Sequence, residues 1–207
     1  ISVIRANSET LSSTGAIKDP KLAEKFLNSI LNNSERLSAM LDDLLELEKI
    51  EFGGLVLNRK KFNVYDQIDL ILESQQALAD ENNIIITNYI DKNISLKVDK
   101  DSFTTIFSNL INNSIKYSRK DGNVAIKALQ NKDALIISIT DKGLGIEKQY
   151  LNKVFNRFYR TPKARANTKG TGLGLSLVKQ LASRINAEAE VESKIGKGTT
   201  VFVTFPT

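Results

Sequence analysis

Residues 136–146 read IISITDKGLGI. The first part is an apolar, β-branched run of the kind that forms a buried strand, and it delivers Asp141 at its end, followed by Gly143 and Gly145. A carboxylate at a strand end can accept a hydrogen bond from an exocyclic amine, and glycines let a flat ring approach the backbone. A plain turn after a strand explains the same residues. A dinucleotide fingerprint does not, because its third glycine falls at position 148, which is Lys.

Outward from this strand, short strands come in pairs separated by helices. Strands are expected at 55–57, 61–64, 84–90, 94–98, 123–129, 134–140, 188–193 and 199–205. An amphipathic helix is expected over 64–81. Another, capped by Asp99 or Asp101, runs through Ser118 with Phe103, Ile106, Phe107, Leu110, Ile111 and Ile115 as its buried face. Further helices are expected over 147–155 and through Ile185, with a polar stretch to Thr171 between them. The pattern predicts a mixed sheet with helices on one face, an α/β sandwich.

The N-terminal quarter is different in kind. Residues 1–13 read as helix. Asp19-Pro20 starts a second one, Asp capping free N–H groups and Pro losing no bond at the first helical position. That helix is expected to run to about Phe52, where Gly53-Gly54 stops it. Ala23, Leu27, Ile30, Ser34, Leu37, Leu41 and Leu44 form its stripe, widened by Phe26, Leu31, Met40 and Leu45. A stripe this wide wants a long partner, either in a dimeric four-helix bundle or as a long core helix of one domain. The fold class is therefore α+β: a helical hairpin followed by the α/β sandwich.

Composition narrows the chemistry. The 207 residues are 41% hydrophobic and 26% charged, which is globular, and 29 basic against 24 acidic residues leave a net charge of +5, too small to argue for nucleic acid. No apolar run reaches membrane-span length and Ile1 follows no charged-then-apolar leader, so the segment is expected to be soluble. With no cysteine and no histidine, disulfides, thiolate nucleophiles, Cys-type zinc sites and Ser-His-Asp triads are excluded. Carboxylates, amides, Lys, Arg and backbone remain, groups that suit Mg²⁺ and phosphate.

Three further stretches carry such groups. In NLINNSIKYS, residues 109–118, Asn109, Asn113 and Lys116 share one helix face: two amides and an ammonium, fit for Mg²⁺ and phosphate or simply solvated. In KGTGLGL, residues 169–175, Gly170, Gly172 and Gly174 put bare N–H groups at a helix start, a phosphate cradle though not a P-loop. Upstream of it, Arg157, Arg160, Lys163, Arg165 and Lys169 stand in a stretch without acids, which reads as a lid over anionic groups or as a linker. Gly196 and Gly198, between the last two strands, equally suit an ordinary hairpin.

In their order these stretches resemble the boxes of sensor histidine kinases of two-component signalling, in the GHKL ATPase superfamily. Residues 109–117 resemble the N box, 141–146 the first glycine box, FNRFYR at 155–160 the F box, and 170–175 and 196–198 the second and third glycine boxes. SERLSAMLDDLLELEKIE, residues 34–51, resembles the second helix of the dimerisation and phosphotransfer domain. The resemblance implies a partial dimerisation and histidine-phosphotransfer hairpin at 1–53 and a catalytic ATP-binding domain at 54–207. It implies ATP and Mg²⁺ as cofactors, with Asn113 ligating the metal, Asn109 and Lys116 near the phosphates, and Tyr117 beside the adenine. Asp141 would accept the adenine amine, Gly143 and Gly145 would give the ring room, Ile146 would be among the cofactor-binding residues, and Arg160 would reach the γ-phosphate. Gly170, Thr171, Gly172, Leu173, Gly174 and Leu175 would line the phosphates, and Thr199 would lie near the base. Arg160 and Lys116 are the implied catalytic residues. The implied partners are a second copy through the hairpin and a response-regulator receiver domain, with no nucleic acid, in the cytoplasm, and with a membrane reached only through a sensor portion outside this chain.

Two departures stand out. Asn186-Ala187 replaces a common glycine pair, and Asn tolerates the left-handed conformation. The phosphoacceptor histidine is missing and is expected a turn or two before Ile1. A GHKL ATPase of the chaperone or topoisomerase type uses an acidic base in the N-box helix, and residues 108–117 have none. A degenerate kinase that keeps the pocket for regulation is the remaining alternative.

Overall fold

The computed structural model describes residues 1–13, 16–51, 56–168 and 170–206. Two compact units result, Ile1–Glu46 and Leu47–Thr207. The domain boundary expected at 53/54, the stop at Gly53-Gly54 and the lid residue Lys169 lie outside the described residues.

In the first unit, α1 (Ser2–Ser13) is followed by a short 3-10 turn (Ala16–Lys18) and by α2 (Pro20–Glu51), whose last turn belongs to the second unit. Asp19 starts α2 as its sequence demands: its Oδ1 accepts from the N–H groups of Lys21 at 3.0 Å and Leu22 at 3.2 Å. Asn7 Nδ2 donates to Ser29 Oγ at 2.7 Å, joining the two helices. Leu27, Leu31, Leu41 and Leu45 of the stripe remain more than half exposed in the single chain.

The second unit contains β1 (Arg59–Asn63), α3 (Val64–Glu81), β2 (Ile85–Asn88), β3 (Ser95–Asp99), α4 (Lys100–Tyr117), β4 (Asn123–Gln130) and β5 (Ala134–Asp141). After these come α5 (Lys148–Leu151), α6 (Pro162–Asn167), α7 (Gly174–Arg184), β6 (Glu188–Lys194) and β7 (Gly198–Pro206). The main sheet has the order β2-β4-β5-β7-β6. Only β2 and β4 run parallel; the other neighbours are antiparallel. β1 and β3 pair separately as a two-stranded antiparallel sheet that the sequence reading did not separate from the main one.

Period-two burial explains the layering. On β5, Leu135, Ile137, Ile139 and Asp141 are buried, while Ile136, Ser138 and Thr140 on the other face are half exposed. The buried rows of β4, β5 and β7 meet the apolar faces of α3, α4 and α7 in one core. All six residues expected on the inner face of α4 are buried there. Phe103 stands at its centre, 5.1 Å from the Phe62 ring in a T-shaped pair and 4.4 Å from Phe107. Burying each such ring contributes about 1.5–3 kcal/mol.

Three expectations need correction. Val56 and Leu57 lie in no strand: the chain here is held by the Asn58 N–H, which donates to Asp99 Oδ2 at 2.8 Å, and the ladder begins only at Arg59↔Asp99. The helix expected over 147–155 is the single turn α5, after which bonds of three-residue span, such as Asn156 N to Lys153 O at 2.9 Å, replace the α-helical ladder. The polar stretch up to Thr171 contains α6, with Thr161 Oγ1 accepting from Ala164 N and Pro162 in the first turn. Asn186 has φ 60°, the left-handed conformation that replaces the glycine there.

Candidate active site

α4 is the spine of the site, and two glycine turns close on it. Asn109 and Asn113, one turn apart and both half-buried, lie against the start of α7. A Cβ on Gly174 would fall 2.8 Å from Asn109 Oδ1 and 3.9 Å from Asn113 Nδ2, so a bare backbone is what lets this helix start approach the amides. Asn109 Nδ2 is anchored on Thr105 O at 2.9 Å, which turns its oxygen to Gly174. Asn113 makes no side-chain hydrogen bond among the described residues. Lys116 is exposed, one turn further on.

At the C-terminal end of α4, Tyr117 meets the turn after β5. Leu144 N donates to Tyr117 O at 3.1 Å, and a Cβ on Gly143 would sit 2.0 Å from that oxygen, an overlap no side chain survives. Asp141 is 6% exposed. Its Oδ1 accepts from Gly143 N at 2.8 Å and from Thr199 N at 3.3 Å, while Oδ2 accepts no hydrogen bond among the described residues. Burial raises the Asp141 pKa, and the two N–H groups offset only part of the rise.

The third glycine stretch is the β6–β7 hairpin. Gly196 N donates to Leu144 O at 2.8 Å, and Arg119 Nη2 donates to Gly196 O at 2.6 Å, so the hairpin is clasped to both neighbouring segments. Ser193 joins it to the first glycine turn. Its Oγ accepts from Ile146 N at 2.8 Å, donates to Gly198 O at 2.8 Å, and lies 2.9 Å from Thr199 Oγ1.

Arg160 sits elsewhere than in an open anion site. Its guanidinium donates to the carbonyls of Ala164 at 2.7 Å, Thr168 at 2.5 Å and Gly170 at 3.2 Å, and its buried Nε has no hydrogen-bond partner among the described residues. It therefore staples the basic stretch to itself. The base of that stretch is fixed by Arg157, which pairs with Glu51, and Gln180 Nε2 reaches the same carboxylate at 3.3 Å. Phe158 takes φ 60°, rare for an aromatic residue, and Gly172 packs directly on its backbone.

The structure thus brings Asn109, Asn113 and Gly174 together midway along the C-terminal half of α4, and Tyr117, Asp141, Gly143 and Thr199 together at its C-terminal end. Gly170 lies on Arg160. Thr171 Oγ1 accepts from Leu173 N at 3.2 Å, and Gly172 completes that turn. Leu173 is wholly buried in the core, so only its backbone can face a ligand; Leu175 packs partly against the same core. Gly145 lies against Lys194. Ile146 lines a cavity of ≈ 560 Å³ with Leu151, Val191, Ser193 and Ile195. Among the described residues no three His, Cys, Asp or Glu side chains cluster as a metal site. Sequence reading missed Ser193, Arg119 and the Phe158 backbone. Only Ser193's place just before the third glycine box could have flagged it.

Comparison with known proteins agrees with this architecture. Residues 98–207 match the family described as histidine kinase-, DNA gyrase B- and HSP90-like ATPase, and residues 1–53 match the His Kinase A (phospho-acceptor) domain. The sensor histidine kinase WalK of Bacillus subtilis (strain 168) is 32% identical over 209 residues, covering 100% of this chain and 34% of that protein. The sensor protein kinase WalK of Staphylococcus aureus is 35% identical over 197 residues, covering 93% of this chain and 47% of that protein. The chain thus spans a third to a half of the length of these curated relatives. Histidine kinase AdeS of Acinetobacter baumannii superposes with a TM-score of 0.79 at 20% identity, covering 100% of this chain and 94% of that one. Histidine kinase ThkA, solved in complex with response regulator protein TrrA, superposes at 0.76 and 20% identity, covering 98% and 58%. Among the described residues no helix is long and apolar enough to cross a membrane. With both matched domains in this order and the curated relatives spanning them together, the chain belongs to the sensor histidine kinases of two-component systems.

Proposed function

We propose that this chain binds Mg·ATP along α4 and is the catalytic region, 54–207, of a kinase whose dimerisation and phosphotransfer hairpin includes residues 1–53. The observation that carries the reading is a pair of neighbouring stations on one helix: an amide pair against a glycine helix start in the C-terminal half of α4, and, past its last residue, a buried carboxylate with one oxygen that accepts no bond among the described residues. The spacing along one helix suits a nucleotide laid with its base at Asp141 and its phosphates at Gly174. The unpartnered Asn113 amide fits a hard cation that takes most of its ligands from phosphate and water.

Bound Mg²⁺ would neutralise charge on the triphosphate as its terminal phosphoryl group is transferred. The residues of the chain bind and orient. Asp141 Oδ2 accepts from the base amine, Asn109 and Asn113 hold the metal–phosphate end, and the bare N–H groups at the start of α7 face anionic oxygens. Lys116 and Arg160 supply positive charge near the transferred group, Arg160 after leaving the carbonyls it now holds. The acceptor is a histidine on the hairpin of the parent protein, from which a response-regulator aspartate takes the phosphoryl group, and the exposed leucines of α2 pair with a second copy. The solved ThkA–TrrA complex supports the regulator as partner. The parent works in the cytoplasm and meets a membrane only through a sensor portion.

Titration calorimetry tests the reading. The chain should bind ATP with Mg²⁺, and Asn113→Asp should weaken that binding at least about tenfold; unchanged affinity removes Asn113 from the site. With no histidine in its 207 residues, the chain incubated with γ-labelled ATP should acquire no acid-labile phosphate.

A further inference from the structure

Ser193 of β6 stands opposite Thr199 of β7. A serine hydroxyl has one hydrogen and two lone pairs, and here all three directions are assigned by the neighbours. Gly198 O, 2.8 Å away, can only accept, so the Ser193 hydrogen points to it. Ile146 N–H, also at 2.8 Å, can only donate and takes one lone pair. The remaining contact is Thr199 Oγ1 at 2.9 Å, and with the serine hydrogen already used, Thr199 is the donor in that bond.

The consequence passes to Thr199. Its hydroxyl hydrogen is committed to Ser193 and its N–H to Asp141 Oδ1, so its side chain offers any further neighbour lone pairs only. Asp141, the residue that its N–H touches, likewise offers only an acceptor, Oδ2. Two side chains at this end of the site therefore present acceptors alone. A purine bearing an exocyclic amine brings donors to such a surface. A purine bearing an oxo group at the same position sets lone pairs against lone pairs, and a buried polar mismatch of that kind is penalised heavily.

We propose that Ser193 is a positioning residue for base selection: by fixing the Thr199 hydroxyl as an acceptor beside Asp141, it makes the site prefer an amino-purine over an oxo-purine nucleotide. The proposal rests on the nucleotide reading above. Ser193 touches no nucleotide in this scheme and acts through Thr199.

The test compares Mg·ATP with Mg·ITP, whose base carries an oxo group in place of the amine, by titration calorimetry on the full chain. The unsubstituted chain should prefer ATP at least about tenfold. Ser193→Ala frees the Thr199 hydroxyl to rotate and donate, so the preference should fall at least about threefold, mainly through tighter ITP binding relative to ATP. Ser193→Thr keeps the hydroxyl and should restore it. Thr199→Val deletes the controlled group while leaving the Ser193 bonds to Ile146 and Gly198, and should lower the preference too, which keeps the test open should Ser193→Ala fail to fold. A merely structural serine predicts equal losses for both nucleotides. That result, or an unchanged ATP to ITP ratio in the variants, overturns the proposal while ATP binding itself stands. An unsubstituted chain that binds no ATP overturns the nucleotide reading and this proposal together.

Discussion

Asp141 carries a charge where burial disfavours one. Two backbone N–H groups on Oδ1 offset part of that cost, and the pKa remains raised. The folded chain therefore holds this proton more tightly than the unfolded chain does. The stability so contributed is full below the ordinary carboxylate value and is lost as pH rises through the raised one. Asp141→Asn removes that loss. The variant and the parent should melt at similar temperatures at pH below the usual carboxylate range, and the variant should melt higher at neutral pH; identical melting at both ends contradicts the linkage. The same substitution removes a charged acceptor from the base end and should weaken ATP binding about ten- to a hundredfold, read by calorimetry. At this scale the sequence was legible where chemistry is local. Asp141 announces itself as a carboxylate ending an apolar strand. Ser193 does not, because its role depends on Ile146 and Thr199, partners brought together by folding rather than by spacing.

Among the elements, α4 shows how a cap and a stripe divide the labour. The stripe buries the helix; Asp99 starts it, with Oδ1 accepting from Ser102 N at 2.8 Å and Ser102 Oγ at 2.6 Å, and Oδ2 from Asn58 N. Burial works to raise its pKa, but these three bonds outweigh burial and hold it below the ordinary value. The linkage has the opposite sign to that of Asp141: stability is present above the unfolded pKa and lost as pH falls through the folded one. Asp99→Ala should cost about 1–3 kcal/mol in urea unfolding at neutral pH, more than an exposed cap, because two backbone N–H groups lose their acceptor. A cost within about 0.5 kcal/mol of zero contradicts this account. α3 and α4 were readable to within a residue or two because long apolar periods leave little freedom. α5 and α6 were not. One turn offers no period to read, and the Thr161-Pro162 start of α6 was outweighed by the charge of the residues after it.

Across the whole molecule, two compact units answer to two kinds of sequence, a long-period stripe and paired strands. The mixed sheet and its one-sided helices followed from that alternation, whereas the strand order β2-β4-β5-β7-β6 and the separate β1–β3 pair did not, since pairing partners leave no mark on a strand's own pattern. Leu31 and Leu41 of α2 are 57% and 52% exposed in one chain, which a second copy would cover. Leu31→Lys with Leu41→Lys should convert a dimer to a monomer in sedimentation velocity without changing ATP affinity. A doubly substituted chain that sediments as the parent does contradicts the proposed pairing.

The strand that ends in Asp141 has neighbours on both sides, β4 and β7, whereas the stretch after Arg160 is held to Arg160 by bonds from its one guanidinium to the carbonyls of Ala164 in α6 and of Thr168 at the end of that helix. In the proposed binding mode the base therefore rests on a strand with ladder partners on both sides, and the phosphates on a segment that one arginine side chain ties together.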